Sequence, residues 1–486
     1  MVFSSHVFLF YFLPLVLLVY YASPAKFRHL GLTLLSYVFY GWANPIFIIL
    51  MLTSTLIDYC CGLAIDSFDA KPGIDSPPGG TAAAVRSQTG KNIALIVSIC
   101  TNLSLLAFFK YFNFFIDSVN AAASLFGSAS AAISVSFRIA LPLGISFYTF
   151  QSMSYTIDLY KGRVSVMRNF IDFACYVSLF PQLVAGPIIR FAEVADQLKF
   201  RTHTAEKFAR GFAFLAMGLA KKVLIANPCG KIADIAFGTA GIPLHTAWYG
   251  IIAYAFQIYY DFSGYSDMAI GLGLMLGFVF PKNFDSPYLS KSITEFWRRW
   301  HLSLSYWLRD YLYIPLGGNR KGTARTYLNL AAVMLLGGLW HGASWNFVIW
   351  GGLHGLLLVS ERIVGKKPFY AKLPGAAKTV LTFGLILITW VFFRADTLSA
   401  AVGYLGSMFI PTAAKESAFL MNRVIYNPYY VITFLATIGV TWFGIQTWDW
   451  TRKISAGKAV VIGMVFVVSV FMLTTQDFNP FIYFIF

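Results

Sequence analysis

Residues 294–310 read TEFWRRWHLSLSYWLRD. Three tryptophans, three arginines and one histidine, His301, share this short space. NFDSPYLSKS lies just upstream and YIPLGGNRKG just downstream. Ser292 followed by Glu295 is a capping-box pattern, with Ser292 as N-cap and Glu295 reaching back to it. Phe296, Trp300, Leu304, Trp307 and Tyr311 then recur at helical spacing and predict one amphipathic helix with a broad aromatic stripe. Arg298, Arg299 and Arg309 project from its other faces, and Glu295 stands three and four residues before the first two. Pro315, Gly317 and Gly318 end the element. Taken alone, such a helix lies in a membrane interface, aromatics toward lipid and arginines toward headgroups. That reading accounts for the tryptophans and arginines but gives His301 no task.

The rest of the chain supplies the membrane. Of 486 residues, 58% are hydrophobic and 12% charged, against about 25% charged in soluble proteins. Mean hydropathy is +0.65. One aqueous fold cannot hide that much apolar surface. Clean candidate spans run at 7–21, 45–65, 93–116, 208–226, 248–260, 268–280, 327–340, 346–359, 379–393, 431–443 and 460–473. Those at 30–42, 139–157 and 170–184 are less regular. Roughly eleven to thirteen membrane helices follow from the rule of about 20 apolar residues per crossing. Pro142, Gly144, Pro181 and Pro187 break some of them. Broken backbone at membrane depth implies a covered cavity or funnel rather than a simple bundle. The fold class expected is therefore an all-α polytopic membrane protein.

The opening MVFSSHVFLFYF lacks a basic n-region and a small-residue cleavage site, so it reads as a retained span. Residues 66–91, rich in Pro, Gly, Ser and Ala, read as a flexible polar loop. No soluble domain of useful size is evident, so residues 1–486 are expected to form a single membrane domain, with 283–325 as a distinct motif block. The formal net charge of +16 does not indicate nucleic acid, because the basic residues flank apolar spans and form no domain of their own. They mark cytoplasmic loops instead: Lys26 and Arg28, Lys221 and Lys222, 298–325 and 362–372. The five cysteines, Cys60, Cys61, Cys100, Cys175 and Cys229, show no metal-ligand spacing and read as packing residues, so no metal is expected.

A second histidine, His341, ends the apolar run 330–340 in LLGGLWHGASW. An ionisable group at membrane depth is costly and is a functional candidate by default. Gly337, Gly338 and Gly342 allow close approach beside it. His354, in WGGLHGLL, occupies a similar run, and composition alone does not choose between a catalytic histidine and one bonded to a neighbouring helix. Histidine suits acyl transfer, since it can take a hydroxyl proton near neutral pH while the oxygen attacks a thioester. The phosphates of an acyl-CoA suit the arginines and Lys321. An apolar tunnel would hold the acyl end and exclude water. Competing signatures fail: Gly264-Tyr-Ser266-Asp-Met268 misses the nucleophile elbow at its last position, and no Walker A or H-E-x-x-H occurs. Gly273 and Gly277 are spaced for helix packing.

YYDFSGYSDMAIGLGLMLGF (259–278), NFDSPYLSKSITEFWRRWHLSLSYWLRDYLYIPLGGNRKG (283–322) and LLGGLWHGASWNFVIWGGLHG (335–355) resemble the membrane-bound O-acyltransferase family. The closest likeness is to its bacterial polysaccharide branch, typified by alginate O-acetyltransferases. LPLGISFYTFQSMSYTIDLY (141–160), FPQLVAGPIIRF (180–191), the opening segment and the closing PFIYFIF fit as well. The resemblance implies a ring of tilted membrane helices around a central funnel, with interfacial helices. It implies His341 as the general base, and His301 as a residue that orients it, binds the thioester or shares the acid–base role. Arg298 and Arg299 would meet CoA phosphates, and Asn283, Trp297, Trp300 and Trp340 would line the substrate path. His354 matches neither role and is expected to be structural. The implied reaction carries an acetyl group from acetyl-CoA in the cytoplasm across the bacterial inner membrane to an exported polysaccharide such as alginate or cellulose. No bound cofactor is implied. Periplasmic acetyltransferase subunits and the export machinery are the implied partners.

Two rivals remain at this point. A peptidoglycan O-acetyltransferase or teichoic acid D-alanyl transferase would share fold and histidines but not the acceptor. A transporter would draw on the broken spans and on Asp158, Asp261 and Asp267 within them.

Overall fold

The computed structural model describes residues 1–68, 81–126, 133–411, 416–476 and 479. Every regular element among them is helical. Four helices are long and apolar enough to cross a membrane: Ile46–Phe68, Ser87–Leu125, Gly375–Arg394 and Ala456–Thr475. Val7–Ala22, Leu398–Phe409 and Pro428–Phe443 are shorter apolar helices. The protein is thus an all-α, multi-pass membrane protein. Other expected spans are more polar than their length suggests. Leu244–Met275 is 32 residues long yet buries Gln257, Asp261, Ser263 and Ser266 along its length.

The described residues pack as two compact units. One comprises Met1, 6–203 and 276–280. Within it, Ile46–Phe68, Thr81–Leu106 and Ile145–Tyr160 pack together. Asp58 is fully buried there and accepts from Ser98 Oγ at 2.6 Å and Asn102 Nδ2 at 2.8 Å. Those bonds offset the cost of removing a carboxyl group from water. The breaks expected near Gly144 and Pro181 are present: Ile145–Tyr160 starts directly after Gly144, and Phe180–Leu183 carries Pro181 in its first turn. The loop expected over 66–91 is helical at both ends, because one helix runs to Phe68 and the next begins at Thr81. Ala82, Ala83 and Ala84 are strong helix formers, and they outweigh the loop-like composition. Residues 69–80, like the closing segment 480–486, lie outside the described residues.

The second unit comprises 2–5, 204–275 and 281–486 and holds both candidate histidines. Its frame is the pair Ala205–Ala220 and Leu244–Met275. A Cβ on Gly211 would meet Gly271 O at 2.6 Å, and one on Gly218 would meet Gly264 O at 2.5 Å. Two glycine pairs, one heptad apart, thus let the two backbones touch. Gly273 and Gly277, spaced for helix packing, do not share one helix: the helix stops at Met275, and Gly277 is left-handed with φ 86°.

Lys221 and Lys222 also depart from expectation. Neither marks a loop. Both belong to a π-helical turn, Lys221–Ala226, that continues the first helix of the pair. Lys222 Nζ lies 2.7 Å from Asp261, both side chains being 3% exposed or less, and Lys221 Nζ lies 2.6 Å from Asp267. In the other unit Asp158 faces Arg163 at 3.3 Å. The three acids that motivated a transporter are therefore each neutralised by a local cation. Breaking a buried pair from one side costs about 3–5 kcal/mol, whereas replacing both partners by apolar groups is often neutral. Lys222→Met is expected to lower the melting temperature of detergent-purified protein sharply, and Lys222→Met with Asp261→Leu to recover most of the loss. Equal melting of the single variant and wild type would contradict the pairing.

Candidate active site

His301 does not sit within one continuous helix. Ile293–Trp297 and Leu302–Leu308 are separate short helices, and His301 between them has φ 44°, in the left-handed region. That conformation costs a non-glycine residue about 1–2 kcal/mol. It is held from outside the turn. Leu302 N donates to Asn283 O at 2.9 Å, and Ser303 N donates to Asn283 Oδ1 at 3.2 Å. Asn283 thereby caps a helix whose own N-cap residue, His301, eighteen residues further along the chain, gives no side-chain cap.

The first short helix is held in the same way. Ser292 Oγ accepts from Glu295 N at 3.0 Å, as the capping-box pattern requires. The Glu295 carboxylate, however, takes Lys291 N at 2.9 Å rather than Ser292 N. A further carboxylate comes from Glu361 on the helix Trp345–Ile363. Buried, it accepts from Ile293 N at 2.7 Å, Thr294 N at 2.9 Å and Thr294 Oγ1 at 2.6 Å. A carboxylate at a helix N-terminus satisfies open amides and favours the helix dipole.

The aromatic stripe faces protein, which corrects the interfacial reading of this segment. Phe296, Trp300, Leu304 and Trp307 are all buried. Trp300 packs on Phe296 with ring centroids 5.5 Å apart, and on Trp390 and Phe284 at 5.2 Å each. The core into which the stripe packs also receives Trp350 and Phe393.

The fold brings His301, Trp340 and His341 together. The Trp340 ring lies 6.1 Å from that of His301 and 5.0 Å from that of His341. His341 ends the helix Thr323–His341 and sits 5.2 Å from Trp350 and 5.3 Å from Phe393. Gly338 of that helix and Gly351 of Trp345–Ile363 leave no room for a Cβ, so the two helices meet backbone to backbone just before His341. Both histidines are buried. Burial pushes the His301 pKa well below the usual histidine value, so its ring is neutral.

The other expected site residues divide. Arg298 is exposed and open to a ligand. Arg299 is engaged locally, 2.9 Å from Glu295 and 3.8 Å from Asp285. Trp300 is core. Trp297 donates its indole N–H to His354 Nδ1 at 3.2 Å. His354 Nε2 lies 3.1 Å from Thr389 Oγ1, whose proton goes to Ile386 O at 2.8 Å. Both nitrogens of His354 are thus bonded within the fold. Asn283 is 1% exposed and bonded to His301, Ser303 and Ser266. Sequence reasoning missed Glu361, Ser303 and the part played by Ser266. A lone acid closing an apolar helix was the available signal for Glu361. Glu361→Ala leaves three donors without their acceptor, at about 1–3 kcal/mol for each buried group. A clear fall in melting temperature is expected, together with loss of activity. Unchanged melting would contradict the capping role.

Comparison with known proteins shows which family the chain resembles. The sequence model of the membrane-bound O-acyltransferase family matches residues 133–393, which include both histidines. A probable alginate O-acetylase of Pseudomonas putida is 42% identical over the full length of both chains. That of Pseudomonas aeruginosa is 48% identical over 84% of this chain and 75% of its own. A peptidoglycan O-acetyltransferase of Helicobacter pylori is 34% identical over 96% of this chain and 95% of its own.

Proposed function

The chain belongs to the membrane-bound O-acyltransferase family and is an O-acyltransferase, and we propose that it passes acetyl groups from cytoplasmic acetyl-CoA to an exported polysaccharide such as alginate. Full-length similarity to alginate O-acetylases supports the polymer class. The observation that carries the chemistry is the pair of buried histidines flanking Trp340. An acceptor hydroxyl loses its proton to a histidine nitrogen as its oxygen attacks the thioester carbonyl. The C–S bond breaks and the thiolate takes the proton back. Acceptor and acetyl-CoA thus become acetyl ester and CoA, with the histidine unchanged. The aromatic walls, Trp340, Trp350 and Phe393, keep water from competing with the acceptor. Arg298 suits a CoA phosphate, with Arg320, Lys321 and Arg325 exposed further along the motif block. The inner membrane is the place for such a reaction, with periplasmic subunits and export machinery completing transfer to the polymer.

Similarity to the Helicobacter enzyme supports a second reading, in which peptidoglycan is the acceptor. Both readings are tested in a deletion strain complemented with wild type, His301→Ala or His341→Ala. Base-labile acetate is measured on purified exopolysaccharide and on peptidoglycan. Each variant is expected to lose acetate from the exopolysaccharide by about 10²-fold or more at normal membrane protein levels. Loss confined to peptidoglycan would establish the second reading. Unchanged acetate on both polymers would overturn the assignment of the histidines.

A further inference from the structure

We infer that Asn283 is a positioning residue that holds His301 in the Nδ1–H tautomer, leaving Nε2 unprotonated as the proton acceptor. This rests on the reading of His301 as part of the acyl-transfer site. Asn283 Oδ1 is identified by its neighbours. The backbone N–H of Ser303 can only donate, and it points at this atom from 3.2 Å. On the other side, Asn283 Nδ2 donates to Ser266 Oγ at 2.9 Å. The amide therefore has one orientation.

His301 Nδ1 lies 3.2 Å from Asn283 Oδ1. Ser303 Oγ is the other group near it, at 3.4 Å, but that hydroxyl has one proton and lies closer to Asn283 Oδ1, at 2.9 Å. His301 Nδ1 thus faces an oxygen that only accepts. The contact is attractive with a proton on Nδ1 and repulsive without one. A neutral imidazole carries a single ring proton, so Nε2 holds a bare lone pair. Nε2 is buried and has no hydrogen-bond partner among the described residues. Of the ring's neighbours, Phe262 at 4.6 Å and Phe284 at 6.4 Å offer only faces and edges, and Trp340 at 6.1 Å carries an indole N–H, a group that can only donate. His354 shows the contrast, with both nitrogens occupied.

The consequence is a division of labour within one residue. Nε2 takes the acceptor's proton as the new C–O bond forms, and returns it to the thiolate as the C–S bond breaks. Meanwhile the Nδ1–H bond to Asn283 steadies the transient imidazolium. Asn283 touches neither substrate nor reacting atoms and acts only through His301.

The test uses the full chain, labelled with 15N-histidine and reconstituted in lipid, with ring nitrogens read by solid-state NMR. The resonances missing from His301→Asn identify His301. Wild type is expected to show a protonated Nδ1 and a bare Nε2. Asn283→Leu removes the acceptor at similar size; a shift of the proton toward Nε2 is expected, with acetyl transfer down about 10²-fold. Asn283→Asp keeps an acceptor and is expected to retain the Nδ1 proton and most of the transfer. A proton on Nε2 in wild type overturns the proposal. So does an unchanged tautomer in Asn283→Leu, or equal loss of transfer in the Leu and Asp variants. Should the Leu variant fail to fold, the wild-type spectrum and the Asp variant decide. The spectrum requires neither donor nor polymer, so a wrong acceptor and a wrong tautomer are read separately.

Discussion

A helix that begins at a left-handed histidine lacks a side-chain cap of its own, and in this fold Asn283 supplies it. The carbonyl and the amide oxygen of that one residue take the first two amides of Leu302–Leu308. The same amide oxygen faces the ring of His301. The backbone turn and the ring orientation are therefore one constraint. Removing water from this corner strengthens it, because an unpaired amide in a buried site would cost about 1–3 kcal/mol.

Glu361 applies the same physics to Ile293–Trp297, which is a single turn and a half and could not persist on its own. Two short helices are thus pinned by buried acceptors from elsewhere in the chain. Around them the tryptophans pack as core, with Trp300, Trp350 and Trp390 all fully buried. Desolvation then sorts the histidines. His354 gives both nitrogens to the fold and is a packing residue with polar ends. His301 gives one. His341 closes the helix Thr323–His341 at the point where glycines allow the next helix to press against it.

Much of this was legible in the sequence. The excess of apolar residues gave the membrane, and the helical spacing gave the aromatic stripe. The W-H-G run and the family motif marked the two histidines that lie on either side of Trp340. What was hidden concerns direction and partnership. Periodicity gave a stripe but not which side protein would cover, so core tryptophans read as an interfacial belt. A left-handed break at a non-glycine residue leaves no local signal, so two helices read as one. Lys221 and Lys222 read as loop markers because their partners, Asp267 and Asp261, lie some forty residues away on another helix. Asn283 was seen as part of the motif, but its bonds to His301 and Ser303 depend on a fold-level meeting that spacing does not encode.

The central claim is that His301 and His341 serve one reacting centre beside Trp340. A structure of the full chain in lipid with a non-cleavable acetyl-CoA analogue tests it most directly. The expected result places the carbonyl carbon where an acceptor oxygen, held by His301 Nε2, can approach to about 3–3.5 Å, with His341 on the same cavity wall and the phosphates at Arg298. An analogue bound with its carbonyl away from both histidines, or at His354, would contradict it.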